Sequence, residues 1–135
     1  MSKILVIKHT VLDVINYNDN SNELWTLFGH IDTKEIITII FSHGIETIII
    51  TRGKAGAEIF LNGGDNFKVD ALEVSAVNVV GCGDAFGASF FLKYIQTNNP
   101  LDSLIFANTA AGLTTTYKSL NEYERLKDDI ARELN

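Results

Sequence analysis

The sequence is poor in the residues that staple or punctuate a chain. Cysteine, proline, methionine and tryptophan each occur once in 135 residues. The lone cysteine, Cys82, excludes an internal disulfide and the usual structural zinc site, which needs several thiolate or imidazole ligands. Basic residues are also scarce, 11 against 17 acidic, for a net charge of −6. Duplex nucleic acid is gripped by basic surface, so it is a poor partner for this chain. No apolar run approaches the ~20 residues that cross a bilayer. At the N-terminus only Ile4 to Ile7 are apolar before Lys8 interrupts, too few for a secretory core. A cytoplasmic chain with no membrane role is therefore expected. Proline-rich, repetitive and low-complexity stretches are absent too, so no linker divides the sequence.

What is present is ordinary for a folded protein. Apolar residues make up 46% and charged residues 21%, which argues against wholesale disorder. At this length roughly two-thirds of the unfolded surface can be buried. One domain over residues 1–135 is expected.

Ile4 to Ile7 read as a short buried strand. After the polar loop 16–22, Ser21 or Asn22 caps a short helix with Leu24, Trp25, Leu27 and Phe28. Asp32 and Glu35 open a helix that Gly44 stops. Ile45 to Thr51 is a continuous β-branched run, suited to a strand covered on both faces. Ala57–Leu61, Phe67–Val69 and Val74–Val77 suggest antiparallel strands, with a turn at 62–65. An apolar helix follows Asp84 and reaches Ile95. Asn99-Pro100 starts the next helix. Ser119 and Glu122 form a capping box for the last one, striped by Leu120, Tyr123, Leu126, Ile130 and Leu134. This order is an α/β pattern.

The stretch Val77 to Phe86 carries the most chemistry. A strand ends, Gly81 and Gly83 allow close approach to the backbone, and a helix begins. Its first N–H groups lack internal partners and its dipole is positive there, which suits a phosphate. Asp84 in the first turn is placed to accept a proton from a hydroxyl attacking phosphorus. The bland alternative is that an acidic first turn and a glycine strand end are simply good helix chemistry. A dinucleotide fingerprint fits poorly, because Phe86 stands where the third glycine belongs. Cys82 reads as a small residue at an alanine-like position, or as a thiol favoured by the helix N-terminus. Arg52 and Lys54 are either phosphate-facing cations or a solvated turn. His9, His30 and His43 have no metal-ligand spacing, so no metal-binding side chains are expected.

Asn78-Val-Val-Gly-Cys-Gly-Asp-Ala-Phe86 resembles the C-terminal signature of the PfkB/ribokinase family of carbohydrate kinases, commonly Asp-Thr-x-Gly-Ala-Gly-Asp-Ala-Phe. Thr51-Arg-Gly-Lys-Ala-Gly56 resembles the family's Thr-x-Gly-x-x-Gly. Phe106-Ala-Asn-Thr-Ala-Ala-Gly112 resembles its Ala-Asn-x-Ala-Ala helix. The resemblance implies a ribokinase-like, three-layer αβα sandwich, truncated to the C-terminal half of the fold. It implies Asp84 as catalytic base and the backbone of Gly81, Cys82 and Gly83 as anion hole. Thr51, Gly53, Gly56, Asn108 and Gly112 are implied at the nucleotide pocket. ATP with Mg2+ is the implied donor, and a sugar or sugar-like alcohol the acceptor. Asn78 stands where many members have an aspartate that helps bind a monovalent cation. Being uncharged, it gives no expectation of potassium dependence.

Whole members are more than twice this length and carry their lid and acceptor contacts in the N-terminal half. The Asn-x-x-Glu motif of the family has no counterpart after the first strand. The other reading is therefore a non-catalytic nucleotide-binding remnant or interaction module. Such a half would expose apolar surface, so self-association or a complementary N-terminal partner chain is expected.

Overall fold

The computed structural model describes residues 4–7 and 33–135. In chain order the elements are β1 (Ile4–Ile7), α1 (Thr33–Ser42), β2 (Thr47–Thr51), β3 (Ala57–Leu61) and β4 (Asn66–Val69). Then come α2 (Cys82–Thr97), α3 (Pro100–Thr114) and α4 (Leu126–Leu134). Short 3-10 segments occupy Gly53–Ala55 and Leu120–Arg125.

The four strands lie in the order β1-β2-β3-β4. β1 runs parallel to β2, and both later pairs are antiparallel. Alternation along β2 builds three layers. Ile48 and Ile50 meet Ile36, Ile37 and Ile40 of α1 on one face. Ile49, paired with Ile59, points to the other face with Ala57. There it packs on Phe86 and Phe90 of α2 and on Leu104 and Ala107 of α3. A strand covered on both sides has no polar face, which is why the β2 sequence is a continuous β-branched run.

Local signals set the helix ends. Gly44 follows α1 at φ +81°, a left-handed position that glycine takes without strain. Asn99 accepts the Asp102 N–H at 3.1 Å and Pro100 fills the first turn of α3. The Ser119–Glu122 capping box forms, but it opens the 3-10 turn that precedes α4 and not the helix itself.

Residues 74–77 are not a strand. The Val77 N–H bonds the Thr115 carbonyl at 2.8 Å, and the Val74 and Val77 side chains are exposed. The Val77 N–H is taken by a helix end and not by a neighbouring strand, so alternation of valines did not signal a sheet. The expected helix with Trp25 and Phe28 lies outside the described residues. Among the described residues no helix is long and apolar enough to cross a membrane.

Candidate functional site

The glycine–aspartate turn begins with Asn78, whose Oδ1 accepts the Val80 N–H at 3.0 Å. Gly81 then takes φ +83°, a conformation in which a Cβ is strained. Among the described residues, none beyond its chain neighbours comes within 4 Å of where its Cβ would stand. Glycine here is thus required by the dihedral angle and not by crowding. Cys82 opens α2, with its N–H on the Val79 carbonyl at 3.3 Å, and the Ala85 N–H returns to Gly81 at 2.9 Å. Phe86 and Phe90 anchor the helix to the sheet. The Gly81 backbone and the Asp84 side chain remain exposed, while Cys82 and Gly83 are half-buried. The positive end of the α2 dipole therefore lies at an exposed turn, with a carboxylate in its first turn.

Thr51 ends β2 opposite Ala57. Gly53 follows at φ +53° and Gly56 at φ +87°. The turn closes by Arg52 N–H to Gly56 carbonyl at 2.8 Å and Gly56 N–H to Gly53 carbonyl at 3.0 Å. Arg52 pairs with Glu58 at 3.4 Å, and Asn66 donates to the same carboxylate at 3.1 Å. Lys54 is exposed.

Three of the expected pocket residues converge on the stretch leaving β4. A Cβ on Gly56 would come 1.9 Å from the Val69 carbonyl oxygen. The Asn108 side-chain amide donates to the Asp70 carbonyl at 2.8 Å. A Cβ on Gly112 would come 2.8 Å from the Leu72 Cβ. Residues 70–78 join this group to the Gly81–Asp84 turn, and the N–H groups of Val77 and Asn78 end the path on the Thr115 carbonyl at 2.8 and 3.0 Å. Sequence reading missed Leu72 and Thr115. One acts through close packing and the other through a main-chain oxygen, and neither leaves a residue-type signal. Just beyond Thr115, the buried Tyr117 donates to Asp129 at 2.7 Å, and burial pushes its phenol up to about 12.

A shallow hollow between α1 and the β3–β4 turn, with Phe41 and Phe60 in its wall, shares no residue with this set. Among the described residues no group of three or more His, Cys, Asp or Glu side chains is placed to hold a metal ion.

Residues 6–125 match the pfkB family of carbohydrate kinases. A 2-dehydro-3-deoxygluconokinase of Thermoproteus tenax is 30% identical over 120 residues, 85% of this chain and 37% of the relative. An E. coli structure described as a ribokinase II in complex with ATP and Mg2+ superposes with a TM-score of 0.72 at 19% identity, covering 96% of this chain and 39% of that one. Arabidopsis thaliana ribokinase, solved with ribose and ATP, gives a TM-score of 0.70 at 17% identity, covering 95% and 40%. The chain thus spans about two-fifths of the length of the proteins it matches. With the three layers in place and three motifs in order along a match of this extent, the chain belongs to the pfkB family of carbohydrate kinases.

Proposed function

We propose that the chain contributes the phosphoryl-transfer turn of an ATP-dependent kinase for a sugar or sugar-like alcohol. One observation carries the reading: the left-handed Gly81 opens α2 at an exposed turn, with Asp84 in the same turn. A phosphoryl group approaching the Gly81–Cys82–Gly83 backbone meets no side chain at Gly81 and lies on the positive helix end. The amides offset the charge that builds on the transferring oxygens. Asp84 takes the proton of the attacking hydroxyl, which raises its nucleophilicity as the new O–P bond forms and the bond from the γ-phosphorus to the bridging oxygen breaks, releasing ADP. Positioning and charge stabilisation supply most of such catalysis, and little covalent work falls to the protein.

The open helix end fits a nucleotide phosphate, with Thr51, Gly53 and the Gly56–Asn108–Gly112 group framing the nucleotide. Magnesium would enter on the triphosphate and offset its charge. The Asn78 amide oxygen accepts the Val80 N–H, so one of its two lone pairs is used in shaping the turn.

The share of the relatives that this chain spans, 37 to 39%, favours a second reading: nucleotide is bound, and turnover needs acceptor contacts from elsewhere. Calorimetry with ATP–Mg2+ and turnover assays across a panel of sugars separate the two. Wild type that phosphorylates an acceptor, with Asp84→Asn at least about a thousandfold slower while still binding ATP, supports the kinase. Binding without turnover supports the second reading. Turnover that survives Asp84→Asn removes Asp84 as base, and failure to bind millimolar ATP removes both.

A further inference from the structure

Asn108, Gly112 and Thr115 stand at positions i, i+4 and i+7, one stripe along α3 and its C-terminal end. Each engages the stretch between β4 and α2, and in the same order. Asn108 holds the Asp70 carbonyl, Gly112 receives Leu72, and the Thr115 carbonyl accepts from Val77 and Asn78. The spacing matches at the start. Four helical residues rise about 6 Å, and two extended residues from Asp70 to Leu72 cover about 6.5 Å. Beyond Leu72 it does not. Five residues could span about 16 Å where the helix rises about 4.5 Å, so residues 73–76 bow outward, and all four are exposed. The path is gripped at both ends and loose in the middle. On the opposite side Gly56 admits the Val69–Ala71 backbone.

We infer that α3 is a positioning rail. It sets the path of residues 70–78 and so the place at which Asn78, Val80 and Gly81 build the phosphoryl-transfer turn. A Thr115 carbonyl at a helix end lacks an intrahelical donor, so two N–H bonds there satisfy it and tether the turn's entry together. Asn108 and Gly112 are positioning residues in this role: they act on Asp84 through a segment neither shares with it. The chemical use of the turn rests on the function proposed above, but the rail itself is read without nucleotide.

Two variants test it by amide hydrogen exchange and N–H resonances in the full chain. Gly112→Ala drives a methyl against Leu72, and Asn108→Asp removes the donor to Asp70 with little change of shape. Each is expected to speed exchange at Val77, Asn78 and Val80 by about tenfold, the scale of one lost hydrogen bond. The Gly81 and Gly83 resonances shift, and the strand amides of Ile49 and Ile59 keep their protection. If Gly112→Ala does not fold, Asn108→Asp alone decides. Unchanged exchange at 77–80 overturns the rail, and so does faster exchange spread equally over β2 and β3, which marks a merely stabilising contact. ATP binding in the same samples bears on the proposed function alone.

Discussion

At φ +87° Gly56 holds a dihedral that side chains rarely adopt, and a Cβ there would stand 1.9 Å from the Val69 carbonyl oxygen. Backbone cannot swing aside as a flexible side chain can. Gly81 has a similar angle, φ +83°, but among the described residues none beyond its chain neighbours lies within 4 Å of its missing Cβ. The two glycines share a motif class and differ physically. Gly56→Ala is expected to destabilise by about 4 kcal/mol or more, since clash adds to dihedral strain. Gly81→Ala is expected to cost about 1 kcal/mol, the dihedral term alone. Chemical denaturation of both variants measures the contrast, and equal losses would show that the Val69 contact relaxes freely. Neither outcome was readable from sequence, where both positions are simply glycine in a turn.

Between elements, the join of α3 to α4 is polar and aromatic. Tyr117 is 3% exposed and donates to Asp129 of α4. Arg125 lies 5.0 Å from the Tyr117 ring and 3.3 Å from Asp129. Burial first, then the Asp129 hydrogen bond and charge, raise the phenol from 10.0 to about 12. The folded chain therefore holds this proton more tightly than the unfolded chain does. The stabilisation is complete below pH 10.0 and is lost as pH rises through about 12, because the unfolded tyrosine ionises first. Tyr117→Phe is expected to cost about 1 kcal/mol at neutral pH. The gap between wild type and Tyr117→Phe should close over that alkaline range in denaturation titrations. A gap that stays constant would mean the phenol is not the linked group.

The elements that sequence reading located well are those with local causes. The Asn99–Pro100 start, the Gly44 stop and the β2 run all follow from short-range chemistry, whereas the Ser119–Glu122 box forms but caps the 3-10 segment ahead of the last helix. The failure at Val74–Val77 has a long-range cause, since only the fold brings the Thr115 carbonyl to the Val77 N–H. The same division holds at the site. The Gly81–Asp84 turn was legible because glycines and an acidic first turn are local features. The convergence of Gly56, Asn108 and Gly112 on residues 69–72 was not, because it joins positions far apart in the chain.

Over the whole molecule, α2 packs Phe86 and Phe90 inward and leaves large apolar side chains exposed on its opposite side. Ala88, Phe91, Leu92 and Ile95 recur there at spacings of three and four, with Asp84 at the head of the same side. Ile95 is 80% exposed and Leu92 57%. Among the described strands β1 lies at an edge of the sheet, a position at which a further chain can pair. The solved structures it resembles continue well past the two-fifths that this chain matches, and in a purified sample a second copy of the chain is a surface able to cover this side of α2. Burial of Leu92 and Ile95 would contribute about 1.5 to 3 kcal/mol each. Sedimentation velocity is therefore expected to show concentration-dependent association of the wild type, and a shift toward monomer for Leu92→Lys with Ile95→Lys. Because both side chains are exposed in the isolated fold, the double variant should keep its denaturation midpoint to within about 0.5 kcal/mol per site. Association that persists unchanged in the double variant would move the contact away from α2, to the β1 edge. A loss of stability beyond that margin would show that these two side chains are packed in the isolated chain after all.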